Sequence, residues 1–246
     1  MSGDGLVLLL GATSDIARAI ARAFAADGHG LALAGRRPEA VEREAADLRI
    51  RFGVTVTVHP FDVLDAEAVG AFLDGLPELP EIAVSVVGLL GDQRKAETDP
   101  RHAALVIRSN FEGPAQVLAA LAERFAARGS GVLVGVSSVA GERGRASNYF
   151  YGSAKAGFTA FLSGLRARMA RYGVRVITVK PGFVDTRMTA GMRLPPVLTA
   201  QPEEVARAVL AAVGRGRDVV YVRRVWRLVM AAIRALPEWL FKRVPL

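Results

Sequence analysis

The chain of 246 residues contains no cysteine, which removes disulfides, thiolate nucleophiles and cysteine metal sites from consideration. Histidine is almost as scarce. His29, His59 and His102 lie far apart and make no metal-ligand cluster, so no metal is expected. Half of the residues are hydrophobic, yet no unbroken apolar stretch approaches the ~18 residues a membrane span requires. The run from Leu6 to Leu10 is too short, and its flank too acidic, for a secretory signal, and reads as a first buried strand. Lysine is the rare cation, with four lysines among 32 basic residues. No linker, repeat or low-complexity segment divides the chain, and its length suits one α/β domain with a sizeable core.

Strand-like runs at 6–10, 31–34, 54–58, 82–87, 132–136, 174–179 and 219–222 alternate with helical patterns. That alternation implies βαβ units and a parallel sheet covered on both faces. The net charge of +8 points to an anionic partner or surface. Nucleic acid is set aside, because the chain carries no binding motif and no interleaved aromatic–basic pattern.

The chemistry concentrates in Tyr151-Gly152-Ser153-Ala154-Lys155. Four residues apart on a helix, the phenol and the ammonium share one face, one turn from each other. A nearby ammonium favours the phenolate and should draw the tyrosine pKa toward the working range. Upstream, the run 132–136 ends in Ser137-Ser138, which presents hydroxyls at the carboxyl end of a buried strand, where open α/β sheets bind ligands. Asn110 sits in a helical pattern. Near the amino terminus, a strand runs into Gly11-Ala12-Thr13-Ser14-Asp15-Ile16-Ala17, which opens a helix. Strand, glycine turn and helix amino terminus together suit a pyrophosphate held on backbone N–H groups.

Over essentially its whole length the chain resembles the short-chain dehydrogenase/reductase family. The resemblance implies a Rossmann-type, doubly wound, seven-stranded parallel sheet in the order 3-2-1-4-5-6-7, and a catalytic set of Asn110, Ser138, Tyr151 and Lys155. It also implies dinucleotide contacts from Gly11, Thr13, Ser14, Asp15, Ile16 and Gly88. Asp62 and Val63 should hold the adenine, and Pro181, Gly182, Val184 and Thr186 should lie beside the nicotinamide. Tyr151 would serve as acid–base, Ser138 would orient the carbonyl oxygen, Lys155 would bind the nicotinamide ribose, and Asn110 would hold a water. The chain departs from the family pattern at Leu10, Asp15 and Ala17, and at Ser85-Val86-Val87, where only Gly88 remains of the usual motif. Asp15 is placed to oppose a pyrophosphate or to serve the helix amino terminus. The second strand lacks an acidic residue at its end, and Arg36 and Arg37 follow Gly35. NADP(H) is therefore expected, through its 2′-phosphate, with NAD(H) as the alternative.

A narrower resemblance lies in Gly88-Leu89-Leu90-Gly91-Asp92, in Ala140-Gly141-Glu142-Arg143 and in the tail Phe241-Lys242-Arg243-Val244-Pro245-Leu246. With the turn at 11–17, these segments are similar to the reductase partner of the decaprenylphosphoryl-ribose 2-epimerase system. That similarity implies a 2-keto sugar on a polyprenyl phosphate as substrate, formed by a separate flavoprotein oxidase. The alternatives are a ketoreductase for another lipid or acyl substrate and a non-catalytic dinucleotide-binding subunit. The segment 186–199 falls where such enzymes carry a substrate lid.

Residues 1–222 read as the dinucleotide-binding domain, and 223–246 as a basic amphipathic helical extension of it. On a helical wheel Arg223, Arg224, Arg227 and Arg234 share one arc, apolar residues cover the rest, and Pro237 should end the helix. Such a helix suits either a membrane surface, met through 223–243, or a second subunit of a homo-oligomer. A cytoplasmic protein at the inner face of a membrane is the corresponding expectation.

Overall fold

The computed structural model describes residues 5–243. Strands β1 (Leu6–Leu10), β2 (Gly30–Gly35), β3 (Val56–Pro60), β4 (Ile82–Ser85), β5 (Gly131–Val136), β6 (Val174–Lys180) and β9 (Val219–Tyr221) form one seven-stranded parallel sheet. Their order is β3-β2-β1-β4-β5-β6-β9, the expected order with the seventh place taken by β9. Two short strands, β7 (Phe183–Val184) and β8 (Thr199–Ala200), pair separately and close the base of the 186–199 segment. The central strand Leu-Val-Leu-Leu-Leu is buried at every position, because helices cover both faces of the sheet.

Helices α1 (Asp15–Ala26), α2 (Pro38–Phe52) and α8 (Pro202–Arg215) supply side chains to one core layer, with Ile20, Phe24, Leu48 and Val209 at its centre. On the other face lie α3 (Ala68–Asp74), α6 (Gly113–Arg128) and the long α7 (Tyr149–Met169), around Leu118, Phe125, Phe158 and Leu162. The short α4 (Gln93–Thr98) and α5 (Pro100–Ile107) follow β4. Between α5 and α6 the helix widens by one π-type turn at Arg108–Glu112, which carries Asn110.

Two strands end two residues away from the sequence reading, the others within one. β3 runs to Pro60 instead of Val58, because an edge strand tolerates a terminal proline, and Pro60 pairs in register with Gly35. β4 stops at Ser85, opposite Leu10. Beyond that pair β1 turns away at Gly11, so Val86 and Val87 leave the sheet and line the cleft above it.

After β9 come α9 (Val225–Ala235) and α10 (Glu238–Phe241), with Pro237 ending the first and opening the second. Arg223 is not on the helix: it has φ 59 and pairs with Glu204 at 2.9 Å. Arg234 lies 3.5 Å from Glu142. The expected arginine arc is thus divided, and Arg224 and Arg227 remain exposed on it. The apolar face divides too: Trp226 and Met230 are buried against Val139, whereas Leu228 is 73% exposed and, on α10, Trp239 is 61% exposed. Val244, Pro245 and Leu246, part of the narrower resemblance, lie outside the described residues.

Candidate active site

Two adjoining cavities open at the carboxyl ends of β1, β2, β4, β5 and β6. One, of about 460 Å³, is lined by Gly11, Thr13, Ser14, Arg36, Arg37, Asp62, Val63 and Gly88. Gly11 has φ 82, and a Cβ there would stand 3.2 Å from the Val87 amide nitrogen, so the turn requires glycine. Ser14 caps α1 by accepting from the Ala17 amide at 3.1 Å. The amides of Asp15 and Ile16 take no protein acceptor among the described residues. Free donors at a helix amino terminus, beside a close-packed glycine turn, fit a dinucleotide pyrophosphate.

Asp15 does not face that site unpaired. Its carboxylate accepts from the Arg187 backbone amide and from Arg187 Nε, both at 2.8 Å, and Arg187 also donates to the Thr13 carbonyl. The substrate-side segment is thereby tied to the glycine turn, and the aspartate's charge is neutralised.

The second cavity, of about 390 Å³, brings Ser138, Tyr151, Lys155, Gly88, Pro181, Gly182, Val184 and Thr186 together with Thr13, Ser14, Asp15 and Ile16. Ser138 ends the β5 turn, where its hydroxyl accepts from the Ala140 amide at 3.1 Å. Tyr151 and Lys155 lie on the first turns of α7, as their spacing requires. Burial pushes the Tyr151 phenol above its ordinary pKa, and a hydrogen bond with Ser138 pulls the other way. The expected downward pull from Lys155 is not what dominates: Lys155 Nζ stands 5.9 Å from the centre of the Tyr151 ring, and burial brings the lysine itself down to about 7. Its ammonium donates to the carbonyls of Val87 at 3.3 Å and Val136 at 3.2 Å, with no carboxylate partner among the described residues.

Asn110 is the exception among the expected site residues. It is completely buried, and it lines neither cavity. Its Nδ2 donates to the carbonyls of Leu89 and Val106, and its Oδ1 accepts from the Leu89 amide. The π-type turn thus places the amide behind Gly88-Leu89, holding the chain that leaves β4.

Among the cleft residues that the sequence reading does not name as site residues, four carry polar or aromatic groups of consequence: Arg145, Asn148, Arg187 and Trp226. In the sequence Trp226 is simply one of the apolar residues of the amphipathic tail. It packs directly on Gly182, stands edge-on to Phe183 with ring centroids 5.4 Å apart, and donates from Nε1 to the Leu198 carbonyl at 3.0 Å. The tail is therefore a wall of the cleft. Arg143 holds it there by donating to the carbonyls of Ile233, Arg234 and Leu236 and stacking over Phe241 at 4.0 Å.

A glycine turn on a parallel sheet, two arginines beyond β2 and a Ser–Tyr–Lys cluster at the strand ends define a Rossmann-type oxidoreductase. Residues 5–195 match the family model described as short chain dehydrogenase, and the chain belongs to the short-chain dehydrogenase/reductase family. It is 38% identical to an uncharacterized oxidoreductase of Mycobacterium tuberculosis, covering 99% of this chain and 98% of that one. It is 37% identical to an uncharacterized oxidoreductase of Streptomyces coelicolor, covering 97% and 95%. A short-chain dehydrogenase from Sphingobium yanoikuyae, solved in complex with NADPH, superposes with a TM-score of 0.82 at 25% identity, covering 97% and 96%.

Proposed function

We propose that the protein reduces a ketone to a secondary alcohol with NADPH. The observation that carries this reading is the convergence of Ser138, Tyr151 and Lys155 in one cavity that adjoins a second cavity lined by Arg36 and Arg37. When bound, the reduced nicotinamide supplies the hydride. Ser138 Oγ and Tyr151 Oη hold the carbonyl oxygen, and Tyr151 Oη passes its proton to that oxygen as negative charge develops there. A phenol raised in pKa keeps that proton at neutral pH. Lys155, brought to about 7, is poised to restore it, and its two carbonyl contacts fix the position of Nζ. Arg36 and Arg37, exposed at the end of β2, would take the 2′-phosphate of the cofactor. Asn110 acts by holding the backbone at Gly88 and Leu89.

The substrate we favour is a lipid-linked keto sugar, formed by a flavoprotein oxidase and met at an anionic membrane surface. The apolar wall of Phe183, Met188, Met192 and Trp226 supports an extended apolar substrate. Exposed Leu228 and Trp239, flanked by exposed Arg224, Arg227, Lys242 and Arg243, support docking of the tail on anionic lipid. Among the described residues no helix is long and apolar enough to cross a membrane.

Tyr151→Phe tests the chemistry. It removes the proton donor and keeps the ring, so turnover of ketones should fall by at least ~100-fold with folding and cofactor binding intact; retention of more than about a tenth of wild-type kcat would refute the assignment. Co-sedimentation with anionic vesicles, weakened by salt, tests the docking. Its absence at low salt, with self-association in its place, would assign the tail to a second copy of the chain.

A further inference from the structure

The loop between the β5 turn and α7 carries two polar side chains that hydride transfer leaves unused. Asn148 occupies the N-cap of α7, where an asparagine ordinarily accepts from an amide two or three residues on. It makes no such bond, and its Oδ1 is buried without a partner. Arg145, three residues earlier, has a buried Nε with no acceptor. Its guanidinium has no ion pair among the described residues, in contrast to Arg143, Arg187 and Arg223. Burial also holds its pKa below the ordinary arginine value, although a guanidinium stays protonated at neutral pH.

Both side chains line the cavity that holds Ser138 and Tyr151. No carboxylate is available there to satisfy the arginine. Asp15 is the acidic residue in that lining, and Arg187 already holds it at 2.8 Å. Arg145 is half-buried, and a partly desolvated cation without a counter-charge gains from a ligand that supplies one. A guanidinium fork is suited to the paired oxygens of a phosphate, sulfonate or carboxylate.

Resting on the ketoreductase reading, we propose that Arg145, with Asn148 beside it, is the subsite that recognises an anionic oxygen group on the substrate. The substrate would carry this group within reach of the carbonyl held by Ser138 and Tyr151. The Asn148 amide would pair with a neighbouring hydroxyl or with the anion's ester oxygens. The subsite sets which ketones are accepted; the proton transfer remains with Tyr151.

The test compares matched ketones of one chain length, bearing a methyl, a carboxylate or a phosphonate terminus, at saturating NADPH. Wild type should prefer the anionic members in kcat/KM. In Arg145→Gln that preference should shrink by roughly tenfold to a hundredfold, the usual range for a hydrogen bond to a charged group, and the change should sit mainly in KM. Arg145→Lys should recover part of it, having the charge without the fork. An unchanged preference in Arg145→Gln would overturn the subsite and leave ketone reduction standing.

A second measurement does not depend on turnover. Methyl phosphate and dodecyl phosphate are titrated by calorimetry onto protein loaded with NADP+, so that the 2′-phosphate site is already filled. Binding to wild type and its loss in Arg145→Gln supports the subsite even if no ketone is reduced, in which case the reductase reading alone fails. Tighter binding of dodecyl phosphate would assign the anion to a lipid-borne substrate, and equal binding to a soluble one. Binding to neither, or equal binding to both proteins, overturns the proposal. Arg145→Gln removes a half-buried cation that has no ion pair among the described residues, so its melting temperature should not fall, which separates these results from misfolding.

Discussion

Lys155→Met should make the cofactor-free protein more stable at neutral pH while abolishing its activity. Burial brings Lys155 from 10.5 to about 7. At about 1.4 kcal/mol per pH unit, keeping the ammonium in the folded chain at pH 7 costs at most about 5 kcal/mol relative to the unfolded one. Between the two values the unfolded chain binds more protons than the folded chain, so this group's contribution to stability rises with pH across that window. Methionine keeps the aliphatic stem and removes the charge. It also strips donors from the carbonyls of Val87 and Val136, at about 1 kcal/mol each. The variant should therefore be about 3 kcal/mol more stable at pH 7, or roughly 6–12 °C higher in Tm for a chain of this size. That advantage should shrink as pH rises, cross zero at about pH 9 and reverse above it. Urea denaturation of both proteins at intervals from pH 6 to 10, with matched m-values, gives the difference directly and cancels groups common to both. A variant less stable at pH 7, or a difference that does not move with pH, would refute the reasoning.

Gly182→Ala puts a methyl group into the Trp226 indole, and overpacking of this kind costs about 1–3 kcal/mol. Because the clash needs both partners, the double variant with Trp226→Leu should be less destabilised than the two single effects predict; additive melting shifts would show that the contact is not the cause. Arg36→Ala should weaken NADPH binding by roughly tenfold or more while sparing NADH, as expected for a charged contact to the 2′-phosphate. Fluorescence titration of both reduced cofactors decides it, and equal losses for the two would sink the assignment.

The parts of the site that could be read from the sequence depend on local geometry. Tyr151 and Lys155 are one helical turn apart wherever that helix forms, and Gly11 must turn the chain wherever β1 meets α1. What escaped depends on residues that meet only after folding. Asp15 and Arg187 are 172 residues apart in the chain, so no spacing could have paired them. Arg145 looks like any other arginine until its buried, unpartnered Nε and its lack of an ion pair among the described residues are seen. The helical wheel that grouped Arg223 with Arg227 assumed a helix where the backbone instead enters the left-handed region. The fall in the lysine pKa comes from desolvation, which a sequence does not record. Conversely, two segments that enter the narrower resemblance separately prove to touch, because Arg143 covers Phe241.

The tail's role as a cleft wall separates two kinds of evolutionary constraint. The groups proposed for the chemistry sit just beyond β5 and on α7, against the interior that also makes the domain fold. The apolar boundary at Trp226 is carried by an outlying helix fastened at a few points, chiefly Gly182, Glu142 and Arg143. Substitutions on that helix can reshape what the cleft admits without disturbing the sheet, provided these fasteners persist. Divergence among relatives of this chain should then fall on the body-facing positions of α9, while the residues that hold the helix down change together or not at all.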